Sequence, residues 1–322
     1  MRIVSLLPAA TEWLCAVGAG GSLVGRSHAC DYPPEVEALP ALTRPAIERP
    51  AGSAAIDRAV REALQRGLSL YDVDLDRLRD LRPDLVVTQA QCDVCAVSLD
   101  ALEAALAEWT DARPDVRSLQ PMTFKQVLDE ALGLARRIGR LPAAMRLVGD
   151  GEVRLQRLRD RVGARRDGTV GGHAPPTVAM VEWIEPVMAA GHWAPDLAEL
   201  AGGRAVLAER GRPSAYVAWD ALVAADPDVL AVTACGLTVE QALRDLPALT
   251  ERPGWARLRA VEAGRVFVFD GNAYFNRPGP RLYRSVELLA AALHPDRAGV
   301  QAEPWEVVRA PQGGPRGAER GV

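Results

Sequence analysis

The feature that constrains this chain most is a pattern that occurs twice. LDRLRDLRPDLVVTQ runs from Leu75 to Gln89, and WDALVAADPDVLAVT runs from Trp219 to Thr233. Each reads as a short helix, a Pro-Asp pair and then an apolar, β-branched run that suits a strand buried on both faces. Asp76, Leu78, Pro83 and Asp84 recur as Asp220, Leu222, Pro227 and Asp228, displaced by 144 residues throughout. Each strand also ends at cysteines, Cys92 and Cys95 in one copy and Cys235 in the other. A repeat of this size predicts two α/β lobes with corresponding strand ends.

Both halves open alike. RIVSLLPAATEWLCAVGAGG reads as a strand, a turn at Pro8, a helix with Thr11 as its expected N-cap, and a glycine stop. In the second half, Val178–Gly203 repeats strand, loop, helix and double glycine. The glycines follow the helices rather than precede them, so neither is a dinucleotide fingerprint. The second loop carries Glu182, Trp183, Glu185, His192 and Trp193 at the carboxyl end of a strand, where open α/β sheets bind ligands. Two indoles and an imidazole suit a flat, largely apolar ligand better than a phosphate; the alternative is that both indoles seal the core.

Ahead of the first copy, Ser53–Gly67 has helical spacing, and GRSHACDYPPEVEALPALTRP reads as a loop with Arg26, His28, Cys30, Asp31 and Tyr32. Thr123–Arg166 is helical in pattern with breaks at Gly139 and Pro142, which predicts a long helix over roughly 142–166, about 35 Å from Pro142 to Ala164. Gly149 and Gly151 are expected to weaken its middle by about 1 kcal/mol each. After RVFVFD come the loop GNAYFNRPGPR and a last helix. The expected division is an N-terminal α/β lobe at 1–121, a helical connection at 122–169, a C-terminal α/β lobe at 170–299 and a flexible tail at 300–322.

A chain of 322 residues is long enough for two cores. With 38 basic and 42 acidic side chains, Lys125 the single lysine and the arginines scattered, nucleic acid is not an expected partner. No apolar run approaches the roughly 18 residues of a membrane span, so no membrane insertion is expected. MRIVSLLPAATE passes directly into a strand, and Glu12 interrupts any signal-like core. Together with an odd count of five cysteines, this predicts reduced thiols and a cytoplasmic location. A start codon further upstream would make the location periplasmic or the cell surface.

SLLPAATE, GRSHACDYPP, RPDLVVTQAQCDVCAVS, VEWIEPVMAAGHWAPDLAELAGGR and DGNAYFNRPGPRL are spread over residues 1–295. On these segments the chain resembles the type III (helical-backbone) substrate-binding proteins of ABC importers, in particular their cobalamin-binding branch. The resemblance implies two Rossmann-like lobes with central, mainly parallel sheets, joined by a single long backbone helix around a ligand cleft. It implies a monomer that needs no cofactor and binds a small-molecule ligand. It also implies docking on an ABC permease through one surface acid per lobe, Asp76 in LDRL and Asp220 in its second copy. The bland reading of both acids is that they cap short helices.

The expected ligand is a corrinoid before haem, with a ferric siderophore or bare metal ion as alternatives. The expected contacts are Glu182, Trp183, His192 and Trp193 from one lobe and His28, Tyr32, Cys92 and Cys95 from the other, with Tyr274 and Arg277 at the rim. Arg26, Arg277 and Arg281 could pair with acidic groups of a ligand. His28 and His192 stand one per lobe as axial ligands for cobalt or haem iron. A second metal reading gathers His28, Cys92, Cys95, His192 and Cys235, since C-x-x-C is half a zinc site or a redox dithiol. No G-x-S-x-G, H-E-x-x-H or phosphate-loop motif is present, so an enzyme is not expected. A thiol-dependent corrinoid-processing activity is the enzymatic alternative.

Overall fold

Each Pro-Asp pair fastens the edge of one strand to the start of its neighbour. The Asp84 carboxylate accepts the backbone N–H of Arg2 at 2.6 Å, and the Asp228 carboxylate accepts that of Thr177 at 2.8 Å. The strands that follow, Leu85–Gln89 and Val229–Val232, are buried along their whole length, which is why they are apolar and β-branched. The computed structural model describes residues 1–46, 50–66, 70–89, 102, 106, 113–165 and 168–311.

The first sheet is parallel, in the order Leu23–Arg26, Ile3–Ser5, Leu85–Gln89, Asp115–Leu119. The second has the same parallel core, Arg204–Val206, Thr177–Trp183, Val229–Val232, Val266–Phe269. In both, the second strand of the half lies outside the first, and the third and fourth follow on the other side. The duplication read from the Pro-Asp motif is therefore a duplication of topology, and the chain is a mixed α/β protein. Antiparallel strands Met188–Ala189 and Ala215–Tyr216 extend one edge of the second sheet.

Two helices connect the sheets. Phe124–Arg137 is capped by the Thr123 hydroxyl, and the chain breaks at Gly139 with φ 71° before Leu141–Val162 begins. That second helix of 22 residues spans about 33 Å and stops at left-handed Gly163. Its middle is a close approach rather than a weak point. Gly151 lies against the Tyr283 ring, where any Cβ would overlap the aromatic carbons, and the Tyr283 hydroxyl donates to the Val148 carbonyl at 3.3 Å.

Three expectations are corrected. Thr11 is not an N-cap: the first helix, Pro8–Ala16, starts a turn earlier, and buried Thr11 donates to Ser5 Oγ at 2.8 Å. The stretch read as a loop begins inside the strand Leu23–Arg26 and contains one strand of a ribbon, Thr43–Pro45 paired with Tyr71–Val73. The tail expected from 300 is ordered at least to Arg309, because Val307–Arg309 adds an antiparallel edge strand. It is anchored there by Glu306, which is buried and takes Arg284 at 2.6 Å and the Tyr274 hydroxyl at 2.9 Å.

The lobes meet where GNAYFNRPGPR packs on the first helix. Glu12 is only 2% exposed. Its carboxylate takes Arg281 at 2.6 and 3.0 Å and Arg277 at 3.5 Å. Arg277 also holds Asp31 at 2.5 and 3.0 Å, and Asn272 reaches the same Asp31 at 3.2 Å. Trp13 adds an indole N–H to the Pro278 carbonyl at 2.9 Å. Burial pushes the Asp31 carboxyl up, but the Arg277 hydrogen bonds and charge outweigh it and hold the group below the usual carboxylate range. Removing one partner of such a buried set strands the others without counter-charge. Glu12→Ala is therefore expected to cost about 3 kcal/mol in urea unfolding; a loss below about 1 kcal/mol would show the clamp to be dispensable.

Candidate functional site

The loops that follow the parallel strands of both lobes come together around this junction. Ser27–Tyr32 follows the strand Leu23–Arg26, and Asp270–Asn276 follows Val266–Phe269. Their meeting is recorded by the Arg277–Asp31 and Asn272–Asp31 contacts and by Arg277 reaching the Ala29 carbonyl at 3.4 Å. His28 stands on the first of these loops. Trp193, next to His192, donates its indole N–H to the Phe275 carbonyl at 2.6 Å, so the His192 loop packs on the second.

Each histidine is held in the same way. His28 Nδ1 lies 2.7 Å from the Thr43 hydroxyl, which passes its own proton to Ser27 Oγ at 3.0 Å. The ring is thereby held at Nδ1, which leaves Nε2 uncommitted. In the second lobe, Ser214 Oγ accepts the Gly191 N–H at 2.9 Å, lies 3.4 Å from His192 Nδ1, and donates to Glu182 at 2.7 Å. Neither Nε2 has a recorded protein partner among the described residues. Burial lowers both imidazole pKa values, with Arg26 adding to the effect on His28, so both rings are neutral near pH 7. A neutral imidazole whose far nitrogen is fixed by a hydrogen bond is the form in which histidine binds metals.

The His192 backbone has φ 51°, a left-handed conformation that costs a residue other than glycine strain. It is kept there by its N–H to the Arg212 carbonyl at 2.5 Å and by the Gly211 N–H returned to its own carbonyl at 3.0 Å. Gly191 must be glycine, since a Cβ would stand 2.6 Å from the Ser214 nitrogen. Beside this loop, the Trp183 indole N–H is enclosed without a hydrogen-bond partner among the described residues, a cost that a ligand acceptor would remove. Cys235 is half-buried nearby, and its N–H bonds the Glu182 carbonyl at 2.9 Å.

The other expected contacts divide. Tyr32 is 44% exposed with the Arg281 guanidinium 4.2 Å from its ring centre. Trp193 is core, 7% exposed, and packs in the cluster beneath the loop. Tyr274 is also buried; its hydroxyl is committed to Glu306 and its ring stacks on Trp305 at 6.1 Å, which removes it from the rim. Arg277 belongs to the interlobe clamp. Arg26 is tied to the Ser27 and Glu37 carbonyls. Cys92 and Cys95 lie outside the described residues. Among those described, no three His, Cys, Asp or Glu side chains gather as a metal site, so His28, His192 and Cys235 do not form one by themselves. Cys30 is buried, and burial raises its thiol to about 11, which leaves it unreactive.

Sequence reasoning did not single out Thr43 or Ser214, and it read Glu12 only as a break in an apolar run. The signal for Glu12 was present: a carboxylate inside the apolar helix PAATEWLCA needs a buried partner. Asp76 and Asp220 sit in the first turns of Leu75–Asp80 and Trp219–Ala225, both exposed. Neither is a cap, since Asp74 caps the first helix and Ala218 precedes the second.

Glu182 gives the site a pH signature. Burial raises its carboxyl from 4.5 to about 7, against the hydrogen bond from Ser214. The folded state then binds a proton that the unfolded chain has released, so this group's contribution falls as pH rises from 4.5 to 7 and is level above. The lowered histidines act oppositely, losing stability as pH falls through 6.5. The difference in unfolding free energy between wild type and Glu182→Gln isolates the carboxyl: wild type should lose ground to the variant across that window, and a flat difference would contradict it.

Comparison with known proteins places the whole arrangement. The family model "Periplasmic binding protein" matches residues 3–273. The vitamin B12-binding protein of Vibrio cholerae is 24% identical over 295 residues, covering 91% of this chain and 88% of that one. An uncharacterized ABC transporter substrate-binding lipoprotein of Bacillus subtilis is 23% identical, with 92% of this chain and 80% of the relative covered. Among solved structures, a periplasmic haem-binding protein of Pseudomonas aeruginosa superposes with TM-score 0.67 at 20% identity, over 94% of this chain and 96% of that one. The periplasmic vitamin B12-binding protein of Vibrio cholerae gives TM-score 0.63 at 21% identity, over 93% and 98%. No helix among the described residues is long and apolar enough to cross a membrane. The chain belongs to the periplasmic binding protein family, and it is a substrate-binding protein of the ABC-importer type rather than an enzyme.

Proposed function

We propose that the chain binds a corrinoid reversibly between its two lobes and presents it to an ABC permease. The observation that carries this reading is the meeting of strand-end loops from both lobes, with His28 and Tyr32 on one side and Glu182, Trp183 and His192 on the other. The vitamin B12-binding relative supports the ligand class. Trp183 supplies an apolar plate and an unpaired N–H, which suits a macrocycle edge carrying amide oxygens. Asp76 and Asp220 are exposed at equivalent places in the two lobes, as docking acids for permease arginines should be.

Haem is the second reading, favoured by one specific observation. His28 and His192 each have Nδ1 beside a hydroxyl, Thr43 at 2.7 Å and Ser214 at 3.4 Å, and no protein partner at Nε2 among the described residues, as an axial ligand of iron requires.

Titration of purified, metal-stripped protein with cyanocobalamin, haemin and zinc separates the readings by absorbance and calorimetry. Corrinoid binding should weaken about tenfold in Trp183→Ala, equal to about 1.4 kcal/mol, and survive His192→Ala. Haemin binding with a Soret shift that His192→Ala abolishes would transfer the assignment to haem. Zinc binding without either macrocycle would overturn both. Charge reversal of Asp76 or Asp220 should leave ligand titration unchanged and abolish uptake where a cognate permease is present.

A further inference from the structure

The helix Ser53–Gln65 is inserted between the two strands of the ribbon, Thr43–Pro45 and Tyr71–Val73. The ribbon starts beside His28. Thr43 holds the His28 imidazole at 2.7 Å, and the Tyr71 ring lies 5.5 Å from it. Although this insert belongs to the first lobe, the helix ends its reach on the second. The Tyr216 hydroxyl donates to Asp57 at 2.7 Å, and the Arg61 guanidinium lies 4.7 Å over the Tyr216 ring. Arg61 and Asp57 are themselves paired at 2.7 Å, one helical turn apart. At the amino end, the Ser53 N–H donates to Asp245 at 2.5 Å. Tyr216 is two residues from Ser214, the hydroxyl that fixes His192. The insert thus runs from the surroundings of one histidine to those of the other, and a 13-residue helix spans about 20 Å.

What holds the helix down is polar. Only Ser53 and Ala63 are buried along it, while Ile56, Ala59 and Val60 are half-buried and Leu64 is 41% exposed. Tyr216 is itself 51% exposed, on a two-residue edge strand. An element with few buried apolar side chains and surface polar fastenings belongs to the part of a protein that opens at low free energy.

We propose that Ser53–Gln65 is a lid, sprung from the ribbon beside His28 and latched to the second lobe at Tyr216 and Asp245, which opens to admit ligand and closes over it. The proposal rests on the reading that the ligand binds between the lobes. It assigns the closing motion to the helix, since the lobes themselves are joined by the buried Glu12 clamp.

The latch is tested without ligand by hydrogen exchange. Tyr216→Ala, an exposed site remote from the core, should raise exchange of the amides in 53–65 about tenfold and leave the strand Leu85–Gln89 unchanged. Asp245→Asn should give a smaller rise at the amino end. The gate is tested by stopped-flow mixing with cyanocobalamin and with haemin: Tyr216→Ala should raise association and dissociation rates together, with little change in Kd. Unchanged exchange overturns the latch, and faster exchange with unchanged rates overturns the lid. If wild type binds neither probe, the function proposed above and the gating over that ligand fail together, and the exchange result alone upholds or overturns the latch.

Discussion

The two lobes depend on one buried carboxylate. Glu12 lies on the first helix after the first strand, and Arg277 and Arg281 close on it from the loop after the last parallel strand of the other lobe. Gly279 passes so near that a Cβ there would stand 2.8 Å from a Glu12 oxygen. Buried charges keep their geometry because each loses its compensation when a neighbour moves. The clamp therefore sets the spacing of the strand-end loops, and with it the width of the space in which His28 and His192 stand. Arginine is the residue for this task, since its planar fork meets a carboxylate with two parallel bonds, as Arg277 does with Asp31.

The rest of the frame works by repetition. Asp84 and Asp228 each secure the start of the adjacent strand, so both sheets are locked in the same register at their amino ends. The loops at the opposite ends are then free to differ. The second lobe uses that freedom to insert a hairpin, whose return leads into strained His192, while the first lobe uses it for the ribbon and its helix. The linking helix is packed on the last helix through Gly151 and Tyr283, which ties the connection to the second lobe.

Much of this frame was legible in the sequence because it rests on local pattern. The Pro-Asp repeat, the apolar runs at Leu85–Gln89 and Thr177–Trp183 and the long helix all carry periodicity that survives without tertiary context. The misses share a cause. Strands of three or four residues, such as Thr43–Pro45 and Val307–Arg309, are too short to show alternation and form because a partner is already there. Trp193 and Tyr274 read as ligand contacts because aromatic residues on loops serve either use; in the fold both are buried, with their polar atoms on the Phe275 carbonyl and Glu306. The same ambiguity hid Arg277, whose fork suits a ligand carboxylate as well as Asp31. His28 and His192 were picked by residue type and by their place on loops at strand ends, one per lobe, while the hydroxyls beside them, Thr43 and Ser214, carry no sequence mark.

The central claim is that the clamp holds the lobes at a fixed spacing and that the ligand lies beyond it, between the His28 and His192 loops. A crystal structure of the protein with cyanocobalamin or haemin bound tests this most directly. The account predicts that Glu12–Arg281 and Asp31–Arg277 stay within hydrogen-bond reach, with the macrocycle between the two histidine loops. Lobes rotated apart with these pairs broken, or a ligand seated elsewhere on the molecule, would contradict it.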